Sequence, residues 1–449
     1  MKLHLPRFRD SMFAQLYNFK DDYSAGRTLA VINQLLSSIG NIFVTGTFYT
    51  AFLMESSIDI VQVSILSFIP HICWIFGLLS PKVFSKFKKR RGILLFNSIF
   101  YNLCLVLLPT LIPYFVQDPG ARTLWFAVLL VAGNIVTAVL GSGSSAWFIR
   151  FLPEDDTRRS YYFSIQYMIP NVVGTLTAVG ASLFTDALGG TDALGPIINT
   201  LRYIGFFLLM TGSIVQLSFS KEYPYERSTG STVRLTDVLT IPLRNKKYMQ
   251  TMVPVFLWNF IGSLTGGFWT YYLLDTIKIS YFMTYISSIT ACIVSLFFMR
   301  FWRMAIRHFG WVKVMGFNLV LVGLSCALDV FLTPQTTWIV PIAAIISGIN
   351  LCGAQLTTDN LFYLNMPKNT DVDVYMTFGN ALTYIFIFVS SALGTWLLAA
   401  LERPDGSPYV FLGLDFYVPQ IITAIKVVLY IGAIVYTWKM APKLEPVKR

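Results

Sequence analysis

Twelve times along 449 residues the chain runs apolar for about 20 residues or more, at 28–54, 59–79, 92–115, 122–148, 160–186, 196–219, 250–274, 279–299, 311–333, 336–358, 373–400 and 417–440. A helix of about 20 residues crosses roughly 30 Å of hydrocarbon. Lipid offers no partner to open backbone groups, and the strands of a membrane barrel alternate over only about 10 residues, so helices are what these runs predict. Charged residues make up 13% of the chain, about half the roughly 25% of a soluble domain. The sequence therefore predicts an all-α polytopic membrane protein with twelve transmembrane helices. Residues 1–27 carry Lys2, Arg7, Arg9, Asp10, Lys20, Asp21 and Asp22 without the apolar core of a cleaved export signal, so they are expected to remain as a cytosolic lead-in. Cys73, Cys104, Cys292, Cys326 and Cys352 all fall inside spans, with no CxxC spacing, and are expected to be free packing thiols with no metal and no cofactor.

Charge sets the expected orientation. The net charge is +11, but its distribution matters more than its sum. With the N-terminus inside, 29 of the 34 Lys and Arg residues fall on the cytosolic side. The opposite face holds Arg122, Arg202, Lys278 and Arg403, and Lys426 lies within the last span. This asymmetry follows the positive-inside rule and predicts a multi-pass protein of the plasma (inner) membrane with both termini cytoplasmic. Its basic face is matched to anionic lipid headgroups in the bilayer, not to nucleic acid.

The chain also repeats itself. "VTGTFYTAFL" at 44–53 returns as "LTGGFWTYYL" at 264–273. "KKRRGILLF" (88–96) sits against "IRHFGWVKV" (306–314), pairing Gly92 with Gly310 and Lys89 with Arg307. "WFIRFLPEDDTRRSYYFSIQ" (147–166) matches "LFYLNMPKNTDVDVYMTFGN" (361–380), pairing Pro153 with Pro367 and Tyr161 with Tyr375. The offsets of 220, 218 and 214 agree on one duplication. It predicts two pseudo-symmetric six-helix bundles, 1–219 and 249–449, joined by a cytosolic linker at 220–248. In that linker Val233, Leu235, Val238, Leu239 and Leu243 suggest a short amphipathic helix. An even number of spans per half keeps the orientation, giving a parallel repeat about the membrane normal.

With these features the chain resembles the major facilitator superfamily of secondary transporters over essentially its whole length. The loop "GLLSPKVFSKFKKRRG" (77–92) matches the family's Gly-led, basic loop between spans two and three at Gly77 and Lys88–Arg91, with Ser80 and Pro81 where an Asp is usual. "AWFIRFLPEDDTRRSYYFS" (146–164) resembles a loop of poorly characterised bacterial members. The resemblance implies alternating access by rocking of the halves, with a cavity lined by spans one, four, seven and ten.

Polar residues at span centres are the candidates for such a cavity. Asn33, Ser37, Asn41 and Thr45 form a stripe on the first span, and Asn134, Thr137, Gly141 and Ser144 one on the fourth. Trp258, Asn259 and Ser263 stand on the seventh, with Ser347, Asn350 and Gln355 on the tenth. Bonding between neighbouring helices would use the same residue types. The expected substrate-binding set is Asn41, Asn134, Asn171, Trp258, Asn259, Asn350, Gln355 and Asn380. His71, mid-membrane with a switchable imidazole, is the expected coupling group. Lys89, Arg90, Arg91, Arg307 and Asp359 are the expected cytosolic gate. Asp329, close to an interface, is a further candidate for coupling, and Lys426 is assigned a structural role.

No GxxxxGK[ST], HExxH or GxSxG sequence occurs, so ATP-driven pumping and hydrolysis lack their chemical parts and the chain is not expected to be an enzyme. The amides suit hydroxyls and amides, and Phe48, Tyr49, Tyr384 and the aromatics of "FWTYY" (268–272) suit a ring. The sequence therefore favours a monomeric transporter of a small polar solute, sugar or glycoside first, in symport with a proton or by facilitation. An exporter of lipophilic drugs and a non-transporting membrane receptor are the competing functions.

Overall fold

The computed structural model describes the chain from residue 11 to residue 445, apart from 85–86, 142, 145–146, 148–150, 154–155, 189–192, 224–234, 363, 367–371, 404–406 and 412–413. Ten helices among the described residues are long and apolar enough to cross a membrane. They are Asp22–Glu55, Ile60–Leu79, Arg91–Phe115, Pro119–Leu140, Met168–Leu188, Leu194–Phe219, Trp311–Asp329, Ile339–Thr358, Phe378–Leu401 and Val418–Leu444. These are the first to sixth and ninth to twelfth apolar runs. The seventh run is a helix in two pieces, Lys246–Ser263 and Trp269–Asp275. The eighth is Tyr281–Phe309, whose 29 residues extend about 43 Å. Twelve helical spans make this an all-α polytopic membrane protein. A small hairpin, Tyr409–Phe411 paired antiparallel with Leu414–Phe416, lies between the last two spans.

Short polar residues start many of these helices, because the first backbone N–H groups of a helix have no partner within it. Asp21 accepts from Tyr23 and Ser24 N–H at 2.9 and 2.8 Å, Asp59 from Gln62 at 2.8 Å, and Asp118 from Ala121 at 2.6 Å ahead of Pro119. Asn245 and Ser280 do the same for the seventh and eighth spans.

By contact the chain divides into two compact units. One comprises the described residues of 1–52 and 79–230, the other those of 53–78 and 231–449. The duplication alone divides the chain at 219, whereas residues 53–78, most of the second span, pack within the unit of the second half. There the Ser64 and Thr395 hydroxyls meet at 2.5 Å, Phe68 sets its ring edge-on to Phe388, and Trp74 stacks on Tyr384. The linker helix is present as Leu235–Arg244. Val233 and the side chains of Leu235, Val238 and Leu239 lie outside the described residues.

In the first unit the first and sixth spans pack closely. Asn33 donates to Gln216, and Ser37 donates to Asn33 at 3.1 Å, so this part of the polar stripe is spent on helix pairing.

The third and ninth spans lack a local cap, since Arg90 and Gly310 at their N-caps make no side-chain cap bond. A distant carboxylate replaces it in each. In the first unit, Glu222 Oε1 accepts from the backbone N–H of Arg90 at 2.6 Å and of Arg91 at 2.9 Å. In the second, Glu445 Oε2 accepts from Val312 N–H at 3.0 Å. Glu222 follows the end of the sixth span and Glu445 the end of the twelfth. Each half thus ties the end of its last helix to the start of its third, where an anion also meets the positive end of the helix dipole.

Burial pushes the Glu445 carboxyl above its ordinary range, and the N–H groups of Val312 and Trp311 hold part of that rise back. The folded protein therefore binds this proton more tightly than the unfolded chain, whose glutamates titrate near about 4.3. Its contribution to stability is present below the unfolded value and is lost as pH rises through the raised one. Glu445→Gln is expected to flatten this part of the pH dependence, read as unfolding temperature against pH in detergent; an unchanged slope would remove the assignment.

Candidate functional site

The two copies of the repeated decapeptide are the two places where a first-in-half span breaks. In the first unit the helix Asp22–Val44 ends and Gly46–Glu55 begins, with Gly46 at φ 58°, a left-handed backbone that glycine enters without a Cβ clash. Thr45 Oγ1 returns to the Asn41 carbonyl at 2.7 Å, and Phe48 beyond the break is fully buried. In the second unit residues 264–268 form a turn between two helical pieces, and Phe268 is again fully buried. The eleventh span covers this break. Ser390 Oγ donates to Phe260 O and Ser391 Oγ to Ser263 O at 3.2 Å. A Cβ at Gly394 would stand 1.8 Å from Leu264 O, so glycine is required for that approach.

Each break also meets a basic side chain from the last span of its half. Arg202 in the first unit is fully buried. Its guanidinium lies over the Phe52 ring at 4.0 Å and near Tyr49 at 5.7 Å, both just past the break. Its Nε donates to Thr110 Oγ1 at 2.8 Å, and its Nη2 to the Leu105 and Val106 carbonyls at 3.3 Å each. Those carbonyls belong to a π-helical turn, Leu103–Leu107, inside the third span; such turns loosen the α-helical ladder and leave carbonyls to be satisfied from outside. In the second unit Lys426 Nζ donates to Thr265 Oγ1, within the break, at 2.7 Å.

Lys426 also lines a cavity of about 280 Å³ inside the second unit, with Gly262, Thr265, Gly266, Trp269, Thr270, Asp329 and Thr423. It holds one carboxylate, one ammonium, three hydroxyls and an indole. Of the eight residues expected to bind substrate, none whose side chain is described lines it.

Those residues are placed as follows. In the first unit Asn41 is exposed, while Asn134 is 2% exposed and donates to its own Leu130 carbonyl at 2.8 Å. In the second unit Trp258 is partly buried, packed against the core around Ile261 and Tyr430. Asn259 is partly buried and donates to Val255 O at 2.9 Å. Asn350 is buried with its Oδ1 unpartnered among the described residues, and Asn380 is exposed. The side chains of Asn171, Gln355 and Asp359 lie outside the described residues.

His71 stands after Pro70 near the end of Ile60–Cys73, partly buried, with no hydrogen bond or ion pair among the described residues. Of the expected gate, Arg91 donates to the Ser220 carbonyl and Arg90 sets its guanidinium 5.0 Å from the Phe84 ring. Lys89 and Arg307 are exposed. Cys73, Cys104 and Cys326 are buried and form no disulfide, and no cluster of metal-ligating side chains occurs among the described residues. Arg202 was not among the sequence candidates; Asp329 stood there as a further coupling candidate and Lys426 in a structural role, and the cavity they share was not foreseen. The signal for Arg202 was there, since it is a lone ionisable group in an apolar span and such groups require partners.

No family model matches the sequence, and no curated protein matches it. Solved structures do. A mutant of the nucleoside transporter NupG aligns with 13% identity over 92% of this chain and 99% of its own, at a TM-score of 0.68. A D-xylose-proton symporter aligns with 14% identity over 93% and 98%, at 0.66, and the peptide transporter POT in complex with sulfate with 12% over 97% and 98%, at 0.65. The chain has the major facilitator fold.

The cage around Arg202 makes a direct prediction. Thr110→Val removes the acceptor of Arg202 Nε without changing side-chain shape, and a buried donor left unpaired costs about 1–3 kcal/mol. Equilibrium unfolding in mild detergent should show a loss of that size, and a neutral substitution would contradict the cage.

Proposed function

We propose that this chain is a secondary transporter of a small, neutral, polar solute, a sugar or glycoside first, working by alternating access in the plasma membrane with both termini cytoplasmic. Its fold is shared by structures described as transporters of nucleosides, D-xylose and peptides. The observation that carries the substrate class is Asn41. It is a carboxamide in the middle of a 34-residue span, exposed, with a side chain that takes no partner among the described residues. An unpaired amide facing lipid would cost several kcal/mol, so that face is matched to water or a polar solute. Asn259 in the second unit uses its Nδ2 on Val255 and keeps its Oδ1 for a donor, which a hydroxyl supplies. Among the described residues neither amide bonds a carboxylate or a cation, which suits a neutral solute better than an ion. The asymmetric basic charge supports the orientation.

Asn41→Ala and Asn259→Ala should each abolish uptake of a polar neutral solute into proteoliposomes while leaving the folded protein intact. D-Xylose, nucleosides and dipeptides are the first solutes to screen, because a bound solute raises the unfolding temperature. Undiminished efflux of hydrophobic dyes by both variants would support a drug exporter instead, and binding without movement in the wild type a receptor.

A further inference from the structure

The second unit brings a carboxylate and an ammonium to one cavity, and no local structure explains them. Asp329 ends the ninth span, and Lys426 lies eight residues into the twelfth, about 12 Å from its start. Both line the 280 Å³ cavity beside the break of the seventh span. Gln420, from the twelfth span, donates to the Val330 and Leu332 carbonyls at 2.9 Å each and so fixes the end of the ninth against the twelfth. Lys426 is buried and spends one of its three N–H groups on Thr265. Asp329 accepts no side-chain hydrogen bond among the described residues, and the two groups do not close an ion pair. A carboxylate at a helix C-terminus also stands against the helix dipole. Its charge is therefore balanced by Lys426 across the cavity, and one proton removes that balance.

Among the described residues, none of the other groups that line the cavity supplies a second counter-charge. Cys326 lies one turn back on the ninth span, and Tyr430 one turn on from Lys426. The seventh span brings only Thr265, Trp269, Thr270 and two glycines to the cavity. The eighth carries Tyr281 and Tyr285 at its start. On the tenth, the side chains of Cys352 and Asp359 lie outside the described residues.

We propose that Asp329 is the proton-binding group of this protein, with Lys426 as its counter-charge, and that the cavity between them is its coupling site. This rests on the transporter reading above. Water in the cavity gives a proton to a carboxylate oxygen of Asp329, one O–H bond forming there as one breaks at the donor, and the reverse step returns it. When Asp329 is neutral, Lys426 keeps its charge and its bond to Thr265, so the altered field falls on the break at 264–268. Proton occupancy is thereby joined to the one interrupted helix of this unit that the cavity touches. A metal cation is disfavoured at the same place, because the fixed ammonium repels it and the carboxylate is a single ligand.

Infrared difference spectra of the full chain in lipid nanodiscs, recorded while pH is varied, test the assignment. A protonated-carboxyl band that titrates in the wild type should be lost in Asp329→Asn, be kept at a displaced position in Asp329→Glu, and titrate at higher pH in Lys426→Gln, where the opposing cation is gone. A titrating band unchanged in both Asp329→Glu and Lys426→Gln overturns the proposal, even if Asp329→Asn fails to fold. In proteoliposomes, accumulation of the screened neutral solute against its gradient under an imposed pH difference should collapse to equilibration in Asp329→Asn. Persistence of full accumulation overturns the coupling role. Failure of the transporter reading has a different signature: no solute moves in the wild type under any gradient, while the carboxyl band still titrates.

Discussion

Inside hydrocarbon every backbone N–H and C=O must find a partner within the protein, and an unbroken helix is the simplest way to supply one. This chain departs from that solution at the first span of each half, and much of its internal structure follows from making the departures good. The carbonyls released before the break at 264–268 are met by Ser390 and Ser391 from the eleventh span, which approaches closely because Gly394 has no side chain. The break at Thr45–Gly46 is turned by a left-handed glycine and closed by the Thr45 hydroxyl. In the same unit Arg202 meets both the aromatic side of that break and the freed carbonyls of the π-helical turn in the third span.

The last span of each half serves as a strut with a charged group at either end. In the first unit it places Arg202 beside a break and leads to Glu222, which caps the third span. In the second unit it places Lys426 on Thr265 and leads to Glu445, which caps the ninth. The cation and the carboxylate are separated by twenty residues in one copy and nineteen in the other. The copies differ in what surrounds the cation. Arg202 is caged in aromatic rings and carbonyls, whereas Lys426 faces a cavity that also holds Asp329. The same supporting device stands in both copies, and in the second a cavity lies beside it.

Hydropathy made the spans legible because a helix in lipid must be apolar over its full length. Its register is therefore written residue by residue, and the repeat was legible because its glycines and aromatics hold positions in both copies. The polar side chains were not. Asn33 and Ser37 lie on the same stripe as Asn41, yet the first two bond within the unit toward Gln216 while Asn41 stays exposed. A sequence shows which face a residue occupies and not what that face meets. Asn134 and Asn259 turn their amide N–H groups onto their own helices, a local choice that amino-acid identity leaves open.

The sequence by itself determined the all-α membrane-spanning class and the twelve segments, because each depends on composition and periodicity along a single helix. Tertiary structure decided the rest. Residues 53–78 belong by contact with the second half, although the duplication assigns them to the first, since side-chain fit and not chain order selects a helix's neighbours. Asp329 and Lys426, read separately, were an interfacial acid and a snorkelling base. They are 97 positions apart, and only the packing of the ninth span on the twelfth, pinned by Gln420, brings their opposite charges to one cavity, where a low dielectric makes each the other's necessary counterpart.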